Sequence, residues 1–104
     1  MQHQVSGHYA VIFTARIRHL DDAYLTTATR MRELAMSEFG CYKFNAACEG
    51  DTEIAISYWS SLEDIRAWRN HPEHKIAQKQ GQDVWYADYC VEITRIERAY
   101  SSTE

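Results

Sequence analysis

The sequence predicts an α+β fold, a ferredoxin-like split-βαβ sandwich in which helices cover one face of a four-stranded antiparallel sheet. Stretches with a two-residue apolar period alternate with stretches whose apolar residues recur at three- and four-residue steps. Their order is strand, helix, strand, strand, helices, strand. Gly50 and Asp51 divide the second and third strand patterns by a tight turn, which makes those two a hairpin. A length of 104 residues with 45% apolar side chains suits one domain, 1–104, with one core that removes roughly two-thirds of the unfolded chain's surface from water.

The first strand runs from Tyr9 to Arg18, where Tyr9, Val11, Phe13, Ala15 and Ile17 alternate with Ala10, Ile12, Thr14 and Arg16. Asp21 or Asp22 caps the following helix, whose apolar side is Tyr24, Leu25, Ala28, Met31, Leu34 and Ala35 and which ends near Gly40. Cys41 to Glu49 is the second strand, with Tyr42, Phe44, Ala46 and Cys48 expected on one face. Ile54, Ile56 and Tyr58 lead the third strand to Trp59. Ser60 and Glu63 have the S-x-x-E spacing of a capping box, so a helix starts at about Ser61 with Leu62, Ile65 and Trp68 as its apolar stripe. Pro72 removes His71 from that helix and opens another, towards Gln80, with Gly81 at its end. This sets Trp68, His71 and His74 around one bend, as the rim of a pocket. Val84 to Asp88 reads as a short helical turn carrying Trp85 and Tyr86. The last strand, Tyr89 to Arg98, slips its alternation between Ile93 and Ile96, as at a bulge. The ordered core is expected over about 9–100, with loose ends.

Eleven basic against fifteen acidic residues give a net charge of −4 without a basic cluster, which argues against a nucleic-acid partner. No apolar run reaches the ~20 residues that span a bilayer, and the start has no signal-peptide pattern, so no membrane partner and a cytoplasmic location are expected. Cys41, Cys48 and Cys90 lack C-x-x-C spacing and read as reduced packing residues, not as a zinc site. Two strands carry consecutive apolar residues, Val11–Ile12–Phe13 and Ile54–Ala55–Ile56, which asks for cover on both faces of the sheet. A second copy of the chain, packed sheet to sheet, supplies it, and a homodimer is expected.

The segments SYWSSLEDIRAWRNHPEH and WYADYCVEITRIER resemble the antibiotic biosynthesis monooxygenase (ABM) family of dimeric α+β barrels, and the likeness extends from Tyr9 to Tyr100. The resemblance implies a small monooxygenase that needs no bound metal, flavin or other cofactor and acts on an aromatic, phenolic or quinol-type molecule with O2. Such chemistry requires a base that turns the substrate into an electron-rich anion, donors that hold the anion, and exclusion of water. His74 is the candidate base, because imidazole titrates near neutral pH. Trp68, Asn45 and Tyr58 complete the candidate catalytic set. Phe13, Trp59, Trp85 and Tyr86 are candidate substrate contacts, as ring walls or donors. Each has a plainer reading: Trp68 as core, His74 as a solvated helix residue, the tyrosines as packing. No third ligand converges on His71 and His74, so no metal site is expected.

Haem-degrading relatives suggest an alternative. The resemblance implies a tryptophan after the third strand, met by Trp68, with a haem-ligating histidine ten residues on and an asparagine on the first strand. Gln78 and Thr14–Ala15–Arg16 stand at those places. A non-catalytic dimer that binds a small aromatic ligand is the third reading.

Overall fold

The structure is a computed structural model and describes residues 7–102. Its strands are β1 (Tyr9–Ile17), β2 (Cys41–Glu49), β3 (Thr52–Trp59) and β4 (Tyr86–Arg95), and its helices α1 (Asp22–Glu38), α2 (Leu62–Asn70) and α3 (Pro72–Gln80). A π-helical turn, Gly81–Trp85, joins α3 to β4. The strands form one sheet in the order β2-β3-β1-β4, every pair antiparallel. This is the ferredoxin-like α+β fold that the periodicities predict.

Local chemistry fixes the helix boundaries. The Asp21 carboxylate accepts the Tyr24 N–H and caps α1. Ser61, not Ser60, caps α2 by accepting the Asp64 N–H at 3.1 Å, so the cap lies one residue later than the S-x-x-E spacing suggests. His71 ends α2 and caps α3 through its ring, with Pro72 next in line. Gly40 turns the chain after α1 at φ 87°, and a Cβ there would meet the Asp64 carboxylate.

The core lies between the helices and one face of the sheet: Leu34, Ala35, Cys41, Trp59, Ile65 and Trp68, flanked by Tyr9, Val11, Met31, Phe39 and Phe44. Leu25 and Leu62 lie outside this core, 66% and 43% exposed. In β2 an extra residue between Cys41 and Lys43 shifts the register, so that Cys41 and Phe44 join the core while Tyr42 meets Tyr58 on the other side. The irregularity against β4 falls at Arg16/Ile17, near the start of that strand and not at Ile93–Ile96. No helix among the described residues is long and apolar enough to cross a membrane.

The covered face of β3 is Glu53, Ala55, Ser57 and Trp59, and the open face carries Ile54, Ile56 and Tyr58. The more apolar residues of the strand therefore turn away from the helices. Ile54, Ile56 and Ile12 make an apolar patch on the open face, where Ile54 is 43% exposed.

Candidate functional site

The covered face has two ends. At the first, β3 finishes in Trp59, which is wholly buried and donates its indole N–H to Ser57 Oγ at 2.8 Å. Trp68 reaches this cluster from α2 and packs on Phe39. The imidazole of His74, from α3, lies flat on the Trp68 indole with centroids 4.2 Å apart and planes 20° apart. Its Nδ1 is 3.1 Å from the Trp68 carbonyl oxygen. A carbonyl oxygen only accepts, so Nδ1 carries the proton and Nε2 presents its lone pair. Burial pushes the His74 pKa below its usual value, which keeps the ring neutral and that lone pair available. Arg30 of α1 holds Glu73, next to His74, through two hydrogen bonds of 3.0 Å.

At the second end, β3 begins near Glu53, which is 7% exposed. Its Oε1 accepts the phenolic hydroxyls of Tyr24, from α1, at 2.5 Å and of Tyr86, from β4, at 3.3 Å. Burial, reinforced by the carboxylate, pushes the pKa of both phenols well above the ordinary tyrosine range. Trp85 is buried edge-on against Tyr24 and donates its indole N–H to Asp21, the residue that caps α1. Phe13 sits 5.4 Å from the Tyr86 ring and stacks on Tyr89 at 5.7 Å. Gly81 lies beneath the Tyr86 ring, where a Cβ would come within 3.0 Å.

The sequence-predicted site residues thus separate into three places. Trp59, Trp68 and His74 meet at the first end, with Trp59 enclosed in the core. Phe13, Trp85 and Tyr86 gather at the second. Asn45 and Tyr58 lie on the open face: Asn45 pairs with Ile56 across the hairpin, and Tyr58 carries the Lys43 ammonium 5.5 Å above its ring. A shallow depression of about 420 Å³ also lies there, lined by Thr14, Arg16, Thr52, Asp88 and Cys90 among others. Sequence reasoning missed Glu53, Tyr24 and the tie between Asp21 and Trp85. The one available signal was that Glu53 shares its strand parity with Trp59.

Among the described residues, no group of three or more His, Cys, Asp or Glu side chains is arranged to hold a metal ion. The haem-ligating set that the resemblance implies does not fit either, since Gln78 stands at the ligand position on α3 and His74 is stacked on Trp68.

A split-βαβ sandwich with aromatic clusters between its helices and sheet defines the class of protein. The chain belongs to the antibiotic biosynthesis monooxygenase family, which its residues 9–80 match. It is 38% identical over 92 residues to the uncharacterized protein YqjZ of Bacillus subtilis (strain 168), covering 88% of this chain and 81% of that one. Its fold is similar to that of SnoaB, a cofactor-independent oxygenase from Streptomyces nogalater, with a TM-score of 0.77 at 9% identity, over 95% of this chain and 100% of that one. Rv0793 from Mycobacterium tuberculosis gives a TM-score of 0.77 at 16% identity, over 90% and 99%.

Proposed function

We propose that the protein is a cofactor-independent monooxygenase that oxidises a phenolic or quinol-type aromatic with O2, acting as a cytoplasmic homodimer. The observation that carries this reading is the imidazole of His74, neutral, fixed by its Nδ1–H and offering Nε2 as a proton acceptor beside the flat face of Trp68. Membership of a family named for monooxygenases supports the reaction class.

In this reading Nε2 takes the substrate's hydroxyl proton, and the ring becomes an anion rich enough in electrons to react with O2. The anion forms a carbon–oxygen bond to O2. The resulting peroxide loses the hydrogen of the same ring carbon as its O–O bond breaks, the inner oxygen staying on the ring as a carbonyl and the outer one taking that hydrogen and leaving as hydroxide. That hydroxide takes the proton back from His74 and departs as water. A phenol and O2 thus give a quinone and water, the substrate supplying every electron. The apolar open face of Ile12, Ile54 and Ile56 supports pairing of two copies sheet to sheet, which would enclose Asn45 and Tyr58. Unpaired thiols at Cys41, Cys48 and Cys90 suit a reducing cytoplasm.

Oxygen uptake with a panel of phenols and quinols tests the reaction. His74→Ala is expected to slow turnover by at least about a hundredfold without changing the assembly; unchanged turnover removes His74 from the mechanism. Light scattering at micromolar concentration is expected to give a dimer, and a monomer would overturn that part. Haemin is expected to give no saturable Soret shift; a stoichiometric shift lost in His74→Ala would put haem degradation first.

A further inference from the structure

Glu53 faces the helices between Ala15 of β1 and Cys48 of β2. Its Oε1 is taken up by two phenolic hydroxyls. Its Oε2 receives no hydrogen bond among the described residues, yet no buried side-chain oxygen or nitrogen there is left without a partner. Oε2 therefore remains in contact with solvent, although the residue as a whole is 7% exposed. Beside it the helices leave a strip of the covered face open: Tyr89, Val91 and Ile93 of β4 are 39%, 44% and 41% exposed. Phe13 stacks on Tyr89 and adjoins Tyr86, so the strip runs towards the carboxylate.

We propose that this end of the covered face binds a flat aromatic molecule by a neutral hydroxyl, which donates to Glu53 Oε2 while the ring lies along Phe13, Tyr89 and Val91. The inference rests on the reading of the protein as a binder of aromatic molecules, and the hydroxyl it concerns is not the one that His74 deprotonates at the other end of β3. Tyr24 and Tyr86 already demonstrate what Glu53 accepts, namely phenolic O–H groups, and charge-assisted bonds of this kind are among the stronger ones. Burial and the carboxylate charge keep both phenols protonated, and the same carboxylate charge acts on a third phenol at Oε2. The site therefore takes a phenol and repels a phenolate.

The titratable groups that face Glu53 are Tyr24 from α1, Tyr86 from β4 and Cys48 from β2; β1 contributes Ala15. The test uses 4-nitrophenol, whose hydroxyl titrates near neutral pH, and 4-nitroanisole, which lacks the hydroxyl. Ligand-observed NMR measures binding to the full chain below and above the nitrophenol titration. The expected result is binding about tenfold weaker once the ligand is ionised, with nitroanisole weak and unchanged at both pH values. Glu53→Gln is expected to abolish the preference for the neutral form, because an amide also donates to a phenolate. Equal binding of phenol and phenolate, equal binding of nitroanisole, or no binding by any probe would each overturn the site. The wild-type comparison stands even if Glu53→Gln fails to fold. Oxygen uptake is not read, so loss of the monooxygenase reading and loss of this site are separate outcomes.

Discussion

The two ends of the covered face lie on one strand, about 20 Å apart at ~3.3 Å per residue from Glu53 to Trp59. Both are aromatic, but their polar atoms are treated differently. At the Trp59 end the indole N–H goes to Ser57, two residues away, and the His74 Nδ1–H goes to a carbonyl of the adjoining helix, so apart from the half-exposed Arg30–Glu73 pair, packing is what joins distant segments. At the Glu53 end the aromatic groups tie α1, β3, the π turn and β4 together through carboxylates. The first end holds the fold by area removed from water; the second holds it by bonds that converge on charge, and keeps one acceptor open.

Breaking the first end should cost most. Trp59→Ala is expected to destabilise by about 3–5 kcal/mol in chemical denaturation, as for other large core truncations; a much smaller loss would mean that this end can collapse around the gap. At the second end, Asp21→Ala removes a helix cap and the partner of a buried indole, for a loss of about 1–3 kcal/mol. Ser61→Ala removes a cap alone and should cost about 1 kcal/mol. If the two substitutions cost the same, the bond to Trp85 contributes nothing.

The smallest effect, and the sharpest comparison, is with pH. His74 has its folded pKa pushed below 6.5 by burial, so as pH falls below that value the unfolded chain takes up the proton first and stability declines towards the folded pKa. Tyr24 and Tyr86 have folded pKa values raised above 10.0, so as pH rises past that value the unfolded chain releases protons first and stability declines again. Denaturation midpoints across pH should show His74→Gln flattening the acid limb alone and Tyr24→Phe flattening part of the alkaline limb alone. One substitution acting on both limbs would mean that the two ends are coupled.

The strand order, the hairpin, the helix break at Pro72 and the meeting of Trp68 with His74 were legible in the sequence, because each depends on local periodicity or on residues within two turns of helix. The Glu53 end was not. A glutamate in an alternating strand reads as solvent-facing, and the apolar parity of Ile54, Ile56 and Tyr58 points to the wrong face as core. Only the register of β3 against β1, together with Tyr24 arriving from α1, turns Glu53 inward, and both are long-range facts. Tyr42 shows the same limit, since one extra residue in β2 changes its side of the sheet without a glycine or proline to announce it.

Gly81 lies under the Tyr86 ring with ordinary right-handed helical dihedrals, φ −60° and ψ −46°. Its backbone would accept alanine, and replacing a helical glycine is worth about 1 kcal/mol in the protein's favour. The added methyl, however, would press on the Tyr86 ring and move the hydroxyl that Glu53 accepts. A screen for heat resistance would therefore keep Gly81→Ala only if the Tyr86 ring gives way by a few tenths of an ångström, while a screen for ligand discrimination would reject it. The absence of a single carbon at this position sets how far Tyr86 can lean towards β3, and sequence variation there would report which of the two demands a relative has met.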